Sequence, residues 1–154
     1  MNIAKTNFFQ IKSNIMCWRS YKIPVKEIAT EDIVVQKILM RDNSGMLVSP
    51  VYRSHNWEET KEVSLSEDIS VGYYSDIDYS EFWDIEYGFH SCEKITIEFG
   101  NKWYCNDEYI FGVDDSDILC EFIIPKDSIY YKNENGCYVS NRLRFVRTIP
   151  QLSI

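Results

Sequence analysis

Hydrophobic and polar side chains alternate most regularly between residues 117 and 149, and this alternation predicts β-strands. The even positions of residues 118–124 are all apolar, which is typical of a strand with one buried face. Pro125 ends this strand, because proline cannot donate a hydrogen bond to a neighbouring strand. The asparagine- and glycine-rich sequence 133–136 predicts a chain reversal. Apolar and basic residues then alternate through residues 138–148, which predicts a further half-buried strand with a basic outer face.

Residues 32–40 form the next most regular segment. Most of them are apolar and many have β-branched side chains, which predicts a central strand. Residues 42–45 predict a turn, since Asp, Asn, Ser and Gly all favour turn conformations. The apolar pattern resumes at residues 46–52, but Pro50 interrupts it, and we therefore predict an edge or bulged strand there.

The pattern is weaker in the middle of the chain. Residues 53–81 are acidic and rich in turn-forming residues, and we interpret them as irregular surface chain. Ser80 is a suitable cap for one helical turn over residues 80–84, before Gly88. Residues 91–99 fit either a helix capped by a serine or a strand rich in isoleucine and threonine, and both alternatives remain open.

The predicted fold is a single α+β domain, mainly antiparallel β-sheet with one or two short helices. Its core strands are residues 32–40, 118–124 and 138–148. Residues 1–29 are interpreted as an N-terminal arm or a short helix packed on this domain. A chain of 154 residues that is 45% hydrophobic and 15% aromatic is long enough for one buried core, and two domains are not expected.

The charge and the apolar runs restrict the class of partner. The chain carries 24 acidic and 16 basic residues, a net charge of −8. Nucleic acid is not an expected partner, because phosphate groups are bound by clustered lysine and arginine. No apolar run has the length of a signal peptide core or of a membrane span. The sequence thus predicts a cytoplasmic protein without a membrane partner, and it carries no indication of the oligomeric state.

The cysteines predict reduced thiols. There is an odd number of them, five, widely spaced along the chain, at positions Cys17, Cys92, Cys105, Cys120 and Cys137. A disulfide framework normally requires an even number in a short secreted chain. A zinc site is not predicted either, because no Cys-x-x-Cys pair occurs and Cys120 lies on the apolar face of its strand. No metal and no other cofactor is therefore expected.

Acidic and aromatic residues are interleaved between residues 76 and 87. Carboxylates and large rings together are suited to contact a basic protein partner. The predicted binding residues are Asp76, Asp78, Trp83, Asp84 and Tyr87. The alternative interpretation is that the rings belong to the core and the acids are simply solvated. A calcium loop is not predicted, because the glycine and final glutamate of such loops are missing.

Five segments, taken in order, resemble a family of small uncharacterised proteins of Bacteroidales bacteria and their phages. These segments are residues 30–37, 48–50, 88–91, 120–131 and 136–143. In that family an IPKGS-x-YY turn precedes a G-x-YVS strand, and Asp127 stands where the family has glycine. Either the turn here has a less strained geometry or Asp127 adopts a left-handed conformation. The resemblance implies a bacterial or phage origin, and it implies no activity.

Two hypotheses for the function follow. The first is a non-enzymatic, cytoplasmic protein-binding module, encoded by a phage or mobile element. The second is an enzyme, because Arg53 and His55 at a strand end and Glu121 on a later strand resemble the site of ADP-ribosyltransferases. In that family an Arg or His binds the dinucleotide and a Glu orients the ribose. Glu121 lacks the second Glu or Gln, two residues earlier, that the family's motif contains.

Overall fold

The computed structural model describes residues 18–49, 56–60, 62–75, 81–98, 102–106, 108–112 and 117–150. These residues form fifteen β-strands and a single helical turn, α1 (Trp57–Thr60). In chain order the strands are β1 (Trp18–Ser20), β2 (Glu27–Ile28), β3 (Ile33–Arg41), β4 (Leu47–Val48), β5 (Glu62–Ser64), β6 (Gly72–Tyr74), β7 (Phe82–Ile85), β8 (Phe89–Cys92), β9 (Ile95–Glu98), β10 (Lys102–Cys105), β11 (Glu108–Gly112), β12 (Asp117–Ile124), β13 (Ile129–Lys132), β14 (Cys137–Ser140) and β15 (Arg142–Thr148).

The predicted α+β class is wrong, because the described residues are almost entirely antiparallel β-sheet. The expected short helices reduce to α1, which has four residues and is too short to form without tertiary packing. Residues 80–85 and 91–99 include aromatic and β-branched side chains, and such side chains pack well on a pleated surface. Sheet pairing with distant strands therefore decided the conformation of segments whose local pattern was ambiguous.

The largest sheet has nine strands in the order β2–β13–β14–β8–β3–β12–β15–β5, with β4 paired beside β3. Its centre is the antiparallel pair β3 and β12, in register from Met40 opposite Asp117 to Ile33 opposite Ile124. The predicted strands 32–40 and 118–124 are confirmed as the core of this sheet. The predicted strand 138–148 is divided at Asn141, whose side-chain oxygen accepts a 2.8 Å hydrogen bond from the N–H of Ile129.

Two sheets of three strands complete the described part of the chain, in the orders β1–β7–β6 and β11–β10–β9. Strand β7 replaces the helical turn predicted at residues 80–84, so that prediction is wrong. Residues 91–99 contain the end of β8 and all of β9, which decides that ambiguity in favour of strand. Residues 53–81 were predicted as irregular chain, but their described part includes α1, β5 and β6.

The two faces of the nine-stranded sheet have different cores. On one face, Phe122 is fully buried and lies edge-on to Trp57 of α1, with ring centroids 4.9 Å apart. The opposite face carries two smaller clusters. One joins Ile38 and Leu119 to the β9–β10 sheet, and the other surrounds Trp18 of β1. Each small sheet is thus attached to the large one through its own apolar cluster.

The turn at Asp127 has the left-handed backbone that was one of the two expected solutions, with φ at 73°. The reversal predicted at residues 133–136 is confirmed as the turn between β13 and β14. Of the N-terminal segment, residues 1–17 lie outside the described residues, and the remainder contains β1 and β2. The assignment of the whole chain to one domain stays a prediction.

Among the described residues, no helix has the length and apolar character needed to cross a membrane.

Candidate functional site

Strand β7 lies at the centre of one small sheet and carries part of the acidic, aromatic stretch. It pairs with β1 on one side and β6 on the other. Ile85 is fully buried against Trp18, so the alternation along β7 turns Trp83 to the same, inner side. Phe82 and Asp84 therefore belong to the outer face of this sheet.

Aromatic and charged groups are stacked on that outer face. The rings of Tyr74 and Phe82 are stacked at a centroid distance of 5.4 Å. The guanidinium carbon of Arg19 lies 4.1 Å from the centroid of the Phe82 ring, a cation–π contact. The carboxylate of Asp84 lies over Gly72, where a Cβ atom would be only 2.9 Å from its Oδ1 atom. A glycine at this position is what allows the carboxylate to lie against the backbone of β6.

The electrostatics of this face are unfavourable for its carboxylates. Partial burial, and then the neighbouring charge of Glu86, raise the pKa of Asp84, while Arg19 lowers it. On the other side of the sheet, beside Trp83, a hydrogen bond with Glu81 raises the pKa of the Tyr73 hydroxyl. Negative charge is therefore concentrated here, and Arg19 offsets only part of it.

The predicted binding residues have different environments. Trp83 is half-buried and its ring centroid lies 5.1 Å from that of Tyr73, and Asp84 is half-buried on the opposite face. Tyr87 is exposed, with its hydroxyl 3.5 Å from the Ser66 hydroxyl. Asp76 and Asp78 lie outside the described residues. Sequence reasoning did not select two exposed rings of β6, Tyr73 and Tyr74.

The residues of the enzyme hypothesis are only partly described. Glu121 lies on β12 opposite Arg147, and its carboxylate forms an ion pair with that guanidinium at 3.3 Å. Arg53 and His55 lie outside the described residues.

A polar cleft lies between Lys26, Asp68 and Tyr131. Its volume is about 100 Å³. Sites for small-molecule ligands usually have volumes of about 300–1,000 Å³. This cleft is too small to favour a nucleotide or another substrate of that size.

Three cysteines converge where the large sheet meets the β9–β10–β11 sheet, and we call them the thiol cluster: Cys92, Cys105 and Cys137. Their sulfur atoms all lie within 4.8 Å of one another. Cys92 and Cys137 are cross-strand neighbours in β8 and β14. Cys105 is the last residue of β10 and places its sulfur 3.5 Å from that of Cys137. The fourth described cysteine, Cys120, belongs to the core on the other face of the large sheet.

Burial and mutual hydrogen bonding shift the titration of the thiol cluster. The hydrogen bonds with Cys105 and then Cys92 lower the pKa of Cys137, and a nearby Asn133 amide adds to this effect. Hydrogen bonds with Cys105 and Cys137, together with burial, raise the pKa of Cys92. Negative charge in the cluster is therefore favoured on the sulfur of Cys137, and Cys137 is the most exposed residue of the three.

The thiol cluster is not visible in the spacing of the cysteines along the sequence. No zinc site was predicted because no Cys-x-x-Cys pair occurs, whereas here each sulfur comes from a different strand end. One local signal was present, because each of the three cysteines borders a turn residue, namely Glu93, Asn106 or Gly136. The convergence itself depends on the pairing of β14 with β8 and of β9 with β10.

Comparisons with protein-family models, curated proteins and solved structures find no match to this chain.

Proposed function

We propose that this chain is a non-enzymatic protein-binding module that acts through the sheet β1–β7–β6. The observation that carries this proposal is the exposure of three tyrosines in and beside that sheet. Tyr73 is 50% exposed, Tyr74 is 46% exposed and Tyr87 is 42% exposed. Tyrosine is enriched among the residues that dominate binding energy, since it offers a large contact area with only two side-chain torsions to fix. Tyr74 lies on the outer face with Phe82, whereas Tyr73 lies on the Trp83 side, so the exposed rings border both faces of this sheet; we call these three residues the tyrosine surface.

The partner that fits the tyrosine surface is a basic protein segment. Glu81 and Glu86 are exposed beside it, and the partly buried Asp84 carboxylate has a raised pKa. A lysine or arginine from a partner would relieve the repulsion among these carboxylates. The net charge of −8 would also steer a basic partner towards the chain. Asp76 and Asp78 belong to the same stretch of sequence and lie outside the described residues.

The ADP-ribosyltransferase-like alternative gains no support from the described residues. Its one described member, Glu121, is engaged by Arg147 on the neighbouring strand β15. The cleft of about 100 Å³ is lined by other residues and is small for a dinucleotide. A binding role therefore accounts better for the exposed groups that the structure describes.

Affinity capture with a tagged chain tests the proposal. Proteins retained by the wild type are compared with those retained by the double variant Tyr74→Ala, Tyr87→Ala. Loss of two contact rings is expected to weaken a specific complex by more than about tenfold, because tenfold corresponds to a loss of only about 1.4 kcal/mol over the two tyrosines together.

The matched control is the double variant Ile28→Ala, Val34→Ala, which removes exposed apolar groups from the large sheet. A partner is assigned to the tyrosine surface when the tyrosine variant loses it and the control retains it. Thermal unfolding of all three proteins verifies that the variants are folded. Retention of the same proteins by the tyrosine variant would refute the proposed surface.

A further inference from the structure

The turns that carry the thiol cluster are joined to one another by hydrogen bonds. The N–H of Glu93 donates to the carbonyl of Gly136 at 2.8 Å, and the side-chain amide of Asn106 donates to the carbonyl of Asn135 at 2.8 Å. The N–H of Asn106 also donates to the carbonyl of Lys94 at 2.9 Å. Three separate turns are thus fixed around the sulfur atoms, and the positions of the sulfurs do not depend on one flexible loop.

Gly136 makes this convergence possible. Its φ of +78° is in the left-handed region, and a Cβ atom there would overlap the side-chain amide of Asn106 and crowd the carboxylate of Glu93. Only glycine allows the β13–β14 turn to approach the other two turns this closely. The approach brings the start of β14, and with it Cys137, against Cys105.

The distances match those of a metal–thiolate centre. A zinc–sulfur bond is about 2.3 Å long, so two sulfurs on one tetrahedral zinc are about 3.8 Å apart. The sulfurs of Cys105 and Cys137 are 3.5 Å apart, and all three lie within 4.8 Å of one another. A shift of less than an ångström per sulfur would bring all three to bonding distance. Thiolate ligands of this kind select soft or borderline ions such as zinc.

The charge of such a centre would be partly balanced. A divalent ion with three thiolates has a net charge of −1, and an uncompensated buried charge is costly. The buried ammonium group of Lys37 interacts electrostatically with Cys92 and lies on the strand next to β8. A cation is therefore already present near the cluster.

We propose that Cys92, Cys105 and Cys137 bind one Zn²⁺ ion as three thiolate ligands. The three S–H protons leave to the solvent as three S–Zn bonds form. No His, Asp or Glu atom of the described residues joins the group, so within that part of the chain the fourth tetrahedral position is open to a further ligand. Because Cys105 belongs to β10 and the other two cysteines to the nine-stranded sheet, the ion would crosslink the two sheets. This role is independent of the tyrosine surface.

The test begins with the full chain carrying Cys17→Ser and Cys120→Ser, which leaves only the thiol cluster. The reduced protein is stripped of metal with a chelator and then titrated with Zn²⁺. We expect one equivalent to bind, the partly exposed Cys137 thiol to become protected from alkylation in the folded protein, and the unfolding midpoint to rise. Co²⁺ in place of Zn²⁺ is expected to produce a thiolate-to-cobalt charge-transfer band.

The further variant Cys105→Ser is expected to lose stoichiometric binding and the cobalt band. Its control is the wild-type chain, which retains Cys17 and Cys120. This chain is still expected to bind one equivalent of Zn²⁺. If Cys105→Ser does not fold, the wild type decides, since it must bind one equivalent of zinc and produce the cobalt band. Binding of no zinc, alkylation of Cys137 in the zinc-loaded protein, or a disulfide within the cluster in place of metal binding would overturn the proposal.

Discussion

The ammonium group of Lys37 donates a 2.8 Å hydrogen bond to the carbonyl oxygen of His90 while its side chain is almost fully buried. Burial lowers the pKa of Lys37 from 10.5 to about 8, and the nearby Cys92 and Cys120 oppose this shift. Between about pH 8 and pH 10.5 the unfolded chain therefore binds more protons at this lysine than the folded chain does. Stability contributed by this group must rise with pH across that interval.

We predict that Lys37→Met weakens the pH dependence of the free energy of unfolding. The free energy of unfolding of the wild type should increase relative to the variant, by on the order of 3 kcal/mol between pH 8 and 10.5, from about 1.36 kcal/mol per pKa unit. Urea unfolding at several pH values measures the difference, in which the titration of the other groups cancels. A difference that stays constant or falls over this range would contradict a lowered pKa for Lys37.

Phe122→Ala should cost roughly 3–5 kcal/mol of unfolding free energy, because it leaves a cavity between Trp57 and Phe145. Phe145→Ala should cost a similar amount of unfolding free energy. Arg144→Ala should change stability by about 0.5 kcal/mol or less, since it removes only an exposed ion pair with Asp32. Chemical denaturation midpoints compare the three variants. Equal losses for the phenylalanine and arginine variants would reverse the assignment of the two sheet faces.

Gly136→Ala and Gly45→Ala form a matched pair, because both glycines have a positive φ near +80°. Around Gly45 there is open space, so alanine there should cost only the backbone strain of about 1–2 kcal/mol. At Gly136 the methyl group must also displace Asn106 and break its hydrogen bond to Asn135, which should add about 1 kcal/mol.

Thermal unfolding of the two glycine variants measures this added cost. The double variant Gly136→Ala, Asn106→Ala tests its origin, because it removes the overlapping amide and should behave more like Gly45→Ala. Equal destabilisation by the two single substitutions would show that crowding at Gly136 has no energetic effect.

The triple variant Asp76→Asn, Asp78→Asn, Asp84→Asn should reduce capture of a basic partner and leave the unfolding midpoint nearly unchanged. The pKa of Asp84 is raised, so its charge does not stabilise the folded chain at neutral pH. Capture by the wild type should also weaken with added salt, because exposed charges are screened within about 10 Å at 0.1 M.

The control for charge alone is a triple variant with the same change in net charge but on other surfaces: Glu27→Gln, Glu31→Gln and Glu121→Gln. Capture measured across a salt series distinguishes local contacts from overall charge. If both triple variants lose capture equally, the carboxylates near the tyrosine surface have no specific role.

Local sequence predicted the centre of the fold well. The strands β3 and β12 have strong apolar patterns because their side chains are buried by neighbours on both sides. Such a pattern predicts a strand whatever the order of the strands in the sheet. The left-handed conformation at Asp127 was also one of the two expected outcomes, because aspartate tolerates that region better than most residues.

Local sequence failed at β7 and at the thiol cluster for a common reason. Ser80 and Glu81 are good residues for the start of a helix, but β7 obtains its partners from β1 and β6. The three cysteines are likewise brought together by pairing between strands that are far apart in the chain. Neither outcome is encoded in a window of a few residues, because both depend on which strands meet.

The hydrogen bond from the indole N–H of Trp18 to the carbonyl of Cys137 connects residues 119 positions apart. At about 5–20 residues per second, a ribosome needs roughly 6–24 s to make the chain between them. During that time Trp18, which is almost fully buried in the final fold, lacks this acceptor, although Ile85 of its cluster has already been made. Tyr131 and Val139 complete the cluster only near the end of that interval, and contacts of such long sequence separation also slow folding. Strand β1 is therefore synthesised early, and its tryptophan is fully enclosed only after β13 and β14 have been made.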